Sequence, residues 1–337
     1  MRIAVVGIPG GWSSEALADA VAQATGQRLL LDLGSARLDM AAGSVFCWGP
    51  GHDPVDLCAL DAVLIKKAAP QYSPDMLDRL ELLRFVAGRG VPCFSDPTRI
   101  LRLVDRLACS VTLSLAGLPL PPTTVTEDLD CALDAVLGYG RAILKPLFTS
   151  KARGMVLLDA AEIGREAVAT ELARFHAANK VLYIQQALNL RGQDLGVCFL
   201  GGEYLGTYAR KKDVSAPPYG LGGPDGTGAG WSTSTASGGR YAPFDPPKEI
   251  QELAHRAQAP FGLDFTCVDV ALTDSGPYVF EVSAFGGFKG LKQARCIDVA
   301  ALFTAHVLDR LKQQGQARQA GQARPESCPE PSPEPGA

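Results

Sequence analysis

Val268-Asp269-Val270, Thr273-Asp274-Ser275-Gly276-Pro277 and Phe280-Glu281-Val282-Ser283 follow one another within sixteen residues, 268–283. Two apolar runs flank a cluster of turn formers, which is the pattern of a β-hairpin. With the turn centred on Ser275, Asp269 and Glu281 lie six residues either side and face each other. Alternation along the strand puts Ser283 on the same face as Glu281. Directly opposed side chains have Cβ atoms about 4.5–5.5 Å apart. Two carboxylates that close, among Val, Ala, Phe and Tyr, repel each other where little water reaches them. A hard divalent cation removes the conflict, and Mg²⁺ takes one or two carboxylates together with phosphate oxygens. The competing reading is a solvated outer face with two unrelated acids.

Further out, Ile143-Leu144-Lys145-Pro146 ends an apolar run with a lysine, followed by Leu147-Phe148-Thr149-Ser150-Lys151-Ala152-Arg153-Gly154. Backbone N–H groups of such a small-residue loop suit phosphate, with the lysines as point charges. The GxxxxGK[ST] spacing of a Walker A loop is missing, and a solvated basic turn is the plain alternative. Tyr208-Ala209-Arg210-Lys211-Lys212 places three cations at a strand end, at the mouth of a glycine-rich stretch. That suits an anionic ligand, against the plain reading of a solvated strand end. Gly7-Ile8-Pro9-Gly10-Gly11 either receives an anion at a helix start or permits a tight turn. The four histidines (His52, His176, His255, His306) have no metal-ligand spacing.

The same residues organise into an α/β chain. Strands are expected at 3–6, 28–32, 44–48, 62–65 and 91–94, with helices from Ser14 to Ala24 and Asp75 to Gly88. This alternation describes an open, largely parallel sheet. One amphipathic helix is expected from Ile100 to Ala116, then a stiff linker carrying Pro119, Pro121 and Pro122. Strands follow at 141–145, 154–158, 181–187, 195–200 and 203–209, with a helix at 160–178 between the second and third of them. Residues 213–240, with eight glycines, read as a long mobile loop. Loops of that length in compact domains are usually functional lids or disordered. A helix at 246–260, strands at 265–272 and 277–283, a helix at 298–313 and a disordered tail from Gln314 complete the chain.

Of the 337 residues 47% are hydrophobic, which excludes disorder over most of the length. Thirty-two Lys and Arg against 36 Asp and Glu give a net charge of −4, without the broad basic field that drives nucleic-acid binding. No apolar run reaches the roughly 18 residues a membrane span needs, and the N-terminus lacks a signal-peptide core. Nine scattered cysteines with no CxxC pair read as buried, inert thiols in a reducing, cytoplasmic compartment.

The order Lys145-Pro146, Tyr183-Ile184-Gln185-Gln186, Asp194, Arg210-Lys211, Asp269, Glu281-Val282-Ser283 resembles the ATP-grasp superfamily, most closely its RimK-type ligases. The likeness covers roughly residues 90–313 and extends to Gly262-Leu263-Asp264, Gly290-Leu291 and Ile297-Asp298-Val299-Ala300. A looser likeness is to the GAK-system ATP-grasp proteins. The resemblance implies a Rossmann-like pre-ATP-grasp domain (1–95) and a two-lobed α+β ATP-grasp domain. The latter divides into a helical linker with a small lobe (96–180) and a large lobe (181–313), before the tail 314–337. It also implies an ATP- and Mg²⁺- (or Mn²⁺-) dependent ligase joining a carboxylate to an amine or thiol through an acyl-phosphate, with amino-acid or glutamate ligation as one form. The partners are then small-molecule or peptide carboxylates and amines, and the family's habit is a homo-oligomer. Lys145 would contact adenine and the α-phosphate, and Ser150 and Lys151 would lie over the phosphates. Gln185, Gln186 and Ala187 would line the adenine edge, and Asp194 would accept from the ribose. Arg106 stands where the family has a lysine, Arg210 would steady the acyl-phosphate beside Lys211, and Asp269, Glu281 and Ser283 would hold the metal.

Three departures bear on this. Ser283 stands where the family's metal triplet has Asn, Gln186 replaces an acidic hinge residue, and Ser232 and Ser234 stand before Gly238-Gly239 where the pattern has Arg and Asn. They leave a second metal and one phosphate arginine open. They also support the alternative of a nucleotide-binding regulatory or scaffold module with little turnover.

Overall fold

The structure, a computed structural model, describes residues 1–49, 51, 53–150, 152–190, 192–211 and 240–322, with side chains as far as 317. His52, Lys151, Lys212, Ser232, Ser234, Gly238-Gly239, nearly all of the stretch 213–240 and the end of the tail lie outside the described residues.

The chain opens with β1 (Ile3–Val6), α1 (Trp12–Thr25), β2 (Leu30–Leu31), β3 (Arg37–Asp39), β4 (Ser44–Cys47), β5 (Val55–Asp56), β6 (Ala62–Ile65), α2 (Asp75–Gly88) and β7 (Cys93–Phe94). Four of these strands form a parallel sheet in the order β2-β1-β6-β7. Every residue of β1 and β6 is buried, as expected for a parallel sheet covered on both faces. The parallel alternation read from the sequence holds for the strands expected at 3–6, 28–32, 62–65 and 91–94, whereas the one expected at 44–48 pairs antiparallel in a separate sheet. The small antiparallel sheet β3-β4-β5 beside it joins two strands too short to leave a periodic signal.

The single helix expected over 100–116 is two, α3 (Pro97–Val104) and α4 (Arg106–Leu115). Asp105 is extended (φ −90°, ψ 121°), and its carboxylate accepts from the Leu107 N–H at 2.9 Å. An aspartate in that position caps a new helix rather than continuing an old one. The expected linker gives way to β8 (Thr123–Thr126) and α5 (Leu129–Tyr139), the latter capped by Asp128 and stopped at Gly140. After β9 (Arg141–Leu144), β10 (Val156–Asp159), α6 (Ala160–Asn179) and β11 (Leu182–Gln186) the sheet order is β10-β9-β11-β8. Leu133, Val136, Leu144, Leu172, Phe175 and Ile184 form the core between that sheet and its helices.

The remainder is β12 (Gln193–Leu200), β13 (Glu203–Lys211), β14 (Arg240–Pro243), α7 (Lys248–Gln258), β15 (Phe265–Thr273), β16 (Gly276–Ser283), α8 (Lys289–Arg295) and α9 (Val299–Gln322). Thus α9 runs past the expected end at 313, through a stretch of Gln, Ala and Arg residues that favour helix. The five-stranded sheet has the order β14-β13-β12-β15-β16. One face, with Leu195, Val197, Val268, Val270 and Val282, shares a core with Leu253 and Ala257 of α7. The other carries Cys198, Tyr208 and Cys267 against Phe288, Leu291 and Phe303. At its opposite end that second face is polar, with Asp194, Arg210, Asp269 and Glu281.

Asp269 and Glu281 are directly opposed, as expected, but by a different route. The turn is Asp274-Ser275, closed by the Thr273–Gly276 pair, with Gly276 at φ +112°. Regular pairing from that turn would set Asp269 opposite Phe280. The register shifts by one residue between Asp269 and Val270, Phe280 bulges out, and Glu281 takes the facing position.

The Tyr208 ring occupies the space that a side chain at Gly196 or Gly290 would need, since a Cβ at either glycine would overlap it. Gly290→Ala should therefore cost about 1–3 kcal/mol, whereas Gly287→Ala, with nothing near its Cβ, should stay within about 0.5 kcal/mol of the parent. Urea unfolding of the two variants checks this, and equal midpoints would refute the packing.

Candidate functional site

The polar end of the five-stranded sheet is a charge lattice. Asp194 on β12 faces Arg210 on β13, and Gly196 leaves room beside Asp269 on β15, which faces Glu281 on β16. Arg210 donates through Nε to Asp194 Oδ2 at 2.9 Å and pairs through Nη2 with both Asp194 and Asp269, the latter at 2.9 Å. Burial works against the guanidinium charge, but Asp269 and Asp194 outweigh it and hold Arg210 protonated well above its ordinary range. Burial also pushes Asp269 up to about 7; Arg210 opposes that shift, while Glu281 and Asp194 add to it. Asp194 Oδ1 is buried and has no hydrogen-bond partner among the described residues. Its other oxygen holds Arg210, so the residue read from the sequence as a ribose acceptor is also a support of the arginine.

Arg106 neutralises the other acid. Its Nη1 meets Glu281 Oε2 at 3.1 Å, while Nε and Nη2 donate to the carbonyls of Pro146 and Thr149, each at 3.2 Å. The Arg106 N–H donates to Leu147 O at 3.1 Å. The break at Asp105 thus starts α4 where its first residue can clamp the 146–149 loop onto β16. Tyr72, Cys109, Thr149, Phe280 and Ser283 line the cavity around this arginine. Ser283 pairs with Cys267 in the next row of the same face, as the alternation predicted.

Lys145 leaves β9 buried and donates to Gln185 Oε1 at 2.5 Å. Gln185 in turn donates to Thr123 Oγ1 at 3.0 Å and Tyr183 Oη at 3.3 Å, and that tyrosine meets Ser110 Oγ at 2.8 Å. Burial, and then Arg106, lower Lys145 to about 7, with Glu281 opposing. Gln185 therefore turns inward to the lysine. Gln186 and Ala187 hold the strand end through their N–H groups, to Pro122 O and Arg141 O, each at 2.9 Å. In the loop, Ser150 Oγ accepts from Arg153 at 3.3 Å. Lys151 lies outside the described residues, and Lys211 is exposed at the end of β13.

The sequence reading missed Ser110, Thr123 and Tyr72, whose types carry no signal of their own. It also missed Lys66, at the carboxyl end of β6, whose Nζ donates to Gly286 O at 2.8 Å and lies 4.5 Å from the Phe288 ring centre. Lys66 fastens the parallel sheet to the segment just after Ser283.

Among the described residues no three His, Cys, Asp or Glu side chains converge to hold a metal by themselves. The donor set is two facing carboxylates and a hydroxyl, all hard oxygens. That fits Mg²⁺ completed by phosphate and water, and not a soft metal. Among the described helices none is long and apolar enough to cross a membrane.

No family model matches the chain. A tetrahydromethanopterin:alpha-L-glutamate ligase of Methanosarcina acetivorans is 24% identical over 274 residues, 78% of this chain and 79% of that ligase. Among solved structures, a RimK domain protein ATP-grasp from Sphaerobacter thermophilus superposes with TM-score 0.66 at 19% identity, covering 91% of this chain and 99% of that one. The ATP-grasp ligase PsnB, complexed with minimal precursor, Mg and ADP, gives 0.64 at 18% identity, covering 92% and 98%.

Lys145 allows a test of the electrostatics without ligand. The unfolded chain keeps this proton up to about pH 10.4, the folded one only to about 7. Between these values the unfolded state binds more protons, so the lysine's contribution to stability rises with pH and is poorest below the folded value. Relative to Lys145→Met, the parent should gain stability in urea from about pH 7 to about pH 9. A flat difference would contradict a buried, unmatched ammonium.

Proposed function

The chain carries the ATP-grasp fold and resembles RimK-type ligases along most of its length; on that premise we propose that it is an ATP- and Mg²⁺-dependent ligase joining a carboxylate to an amine. The observation that carries the reading is the facing pair Asp269–Glu281, with an arginine on each acid, at the polar end of one sheet face. Such chemistry needs positioning and charge neutralisation more than a general base. The site offers that, with lysine and arginines and, among the described residues, no histidine beside them.

In this reading ATP lies between the β10-β9-β11-β8 sheet and the five-stranded sheet. Lys145, held by Gln185, meets the adenine and α-phosphate end, with Gln186 and Ala187 along the base. The 149–154 loop, with Ser150 and Lys151, covers the phosphates, and Arg106 faces them from the floor. Asp194 offers Oδ1 to a ribose hydroxyl, while Oδ2 keeps Arg210 in place. Asp269, Glu281 and Ser283 would hold Mg²⁺, which when bound would neutralise charge on the phosphate oxygens. Arg106 and Arg210, held beside these carboxylates, would add positive charge towards the phosphates. Arg210 then stabilises the acyl-phosphate and the tetrahedral species that follows, beside Lys211. The carboxylate class includes amino acids such as glutamate, the substrate named for the methanogen relative. A small-molecule or peptide amine, a cytoplasmic setting and a homo-oligomer complete the proposal.

ADP release in the presence of Mg-ATP, across a panel of carboxylates and amines, tests this. The parent should release ADP only with a matching pair, and Arg210→Ala should lose about 10²-fold or more in rate. Arg210→Lys, which keeps a cation between the two aspartates, should retain nucleotide binding and still lose most of the turnover. Undiminished turnover in both variants would remove Arg210 from the reaction. Tight Mg-ATP binding by the parent with no ADP from any pair would favour the regulatory module.

A further inference from the structure

Cys198 on β12 and Cys267 on β15 are directly opposed in the antiparallel register, one row along from the Gly196–Asp269–Glu281 row. Both side chains are buried on the same sheet face as the charge lattice. The Tyr208 hydroxyl lies 3.4 Å from Cys267 Sγ, and Asp269 Oδ1 lies 3.9 Å from it. Across β16 the row continues to Ser283, which lines the cavity around Arg106 and Glu281. Burial alone would mark both cysteines as inert, as the composition suggested. The register gives a different answer.

We propose that Cys198 and Cys267 are an oxidisable dithiol whose disulfide disables the adjacent metal and nucleotide site. The bond formation itself stands on the register and the shared burial of the two side chains; the loss of binding rests on the reading of the site given above. Directly opposed residues of an antiparallel pair have Cα atoms about 4.5 or 5.5 Å apart. A disulfide accepts Cα separations of about 4.4–6.8 Å, so no large backbone movement is required. The oxidant class is a small hydroperoxide. The Cys267 sulfur attacks the terminal oxygen and the O–O bond breaks, with the thiol proton leaving in the water or alcohol formed. Cys198 sulfur then displaces hydroxide from the sulfenic acid, its own proton completing a second water. Two thiols and one hydroperoxide thus become one disulfide, one water and one water or alcohol, with two electrons passed to the peroxide. Cys267 reacts first because it neighbours Ser283 at the cavity wall, while Cys198 lies one strand further in.

The consequence follows from the spacing. A disulfide draws facing Cβ atoms to about 3.8 Å, from about 4.5–5.5 Å in an open pair. That tightening falls two residues from Asp269 on the same strand, and it also removes the thiol that meets the Tyr208 hydroxyl. Displacements of about 1 Å at reacting groups cost on the order of 10²-fold.

The test uses the full chain, treated with hydrogen peroxide, alkylated in denaturant and digested. Peptides carrying Cys198 and Cys267 should be recovered joined, two hydrogens lighter than the separate thiol peptides, and should separate on reduction with dithiothreitol. Recovery of both as alkylated thiols, while the exposed Cys131 and Cys296 are oxidised, would overturn the dithiol. In parallel, the melting shift given by Mg-ATP should fall by more than half on oxidation and return with dithiothreitol. Cys198→Ala should keep that shift through peroxide treatment. A joined pair with an unchanged shift would overturn the regulatory role alone. A reduced parent with no Mg-ATP shift would instead count against the nucleotide site, leaving the disulfide to be read by mass.

Discussion

Two acidic side chains face each other across β15 and β16, Asp269 largely buried and Glu281 half-buried, and their repulsion sets the demands on the groups around them. A buried charge is tolerated only when it is paired or neutralised. The chain answers with two arginines from distant segments. Arg210 comes from β13 and is shared between Asp194 and Asp269, while Arg106 comes from the start of α4 and takes Glu281. Each arginine has its own structural requirement. Arg106 needs the helix break at Asp105, and Asp269 needs Gly196 beside it, where a side chain would collide with Tyr208. Three carboxylates share two guanidinium groups, which leaves the lattice short of positive charge and suited to a divalent cation.

The sequence shows the chemistry of the hairpin better than its geometry. Asp269 and Glu281 are correctly paired from a turn placed at Ser275, yet the turn is Asp274-Ser275 and a bulge at Phe280 makes up the difference. A bulge leaves no compositional trace, because Phe280 fits either register. The parallel sheet is legible through its continuous apolar runs, since β1 and β6 are buried on both faces. The break within 97–115 is not, because α3 and α4 keep an apolar periodicity across Asp105 and only that residue's cap betrays the stop. Likewise β8 is short and polar, and its place at the sheet edge beside β11 depends on tertiary pairing with Tyr183 and Ile184.

The site residues divide in the same way. Lys145 and Arg210 are charged residues near the ends of apolar strands, and Asp269 and Glu281 interrupt two others, where their cost is visible from sequence. Ser110, Thr123 and Tyr183, which complete the hydrogen bonds around Gln185 and Lys145, are ordinary residues whose role exists only once three elements meet. Lys66 belongs to this second group, since its acceptors lie about 220 residues away in the chain.

The central claim is that the facing carboxylates form a metal-dependent nucleotide site, and thermal unfolding with and without Mg-ATP tests it most directly, for the parent and for Glu281→Gln. Ligand at about 100 times its dissociation constant stabilises by about 2.7 kcal/mol, well within the reach of a melting curve. The account predicts a clear upward shift in the parent that needs Mg²⁺ and shrinks in the variant. An equal shift in both proteins, or one indifferent to Mg²⁺, would contradict it.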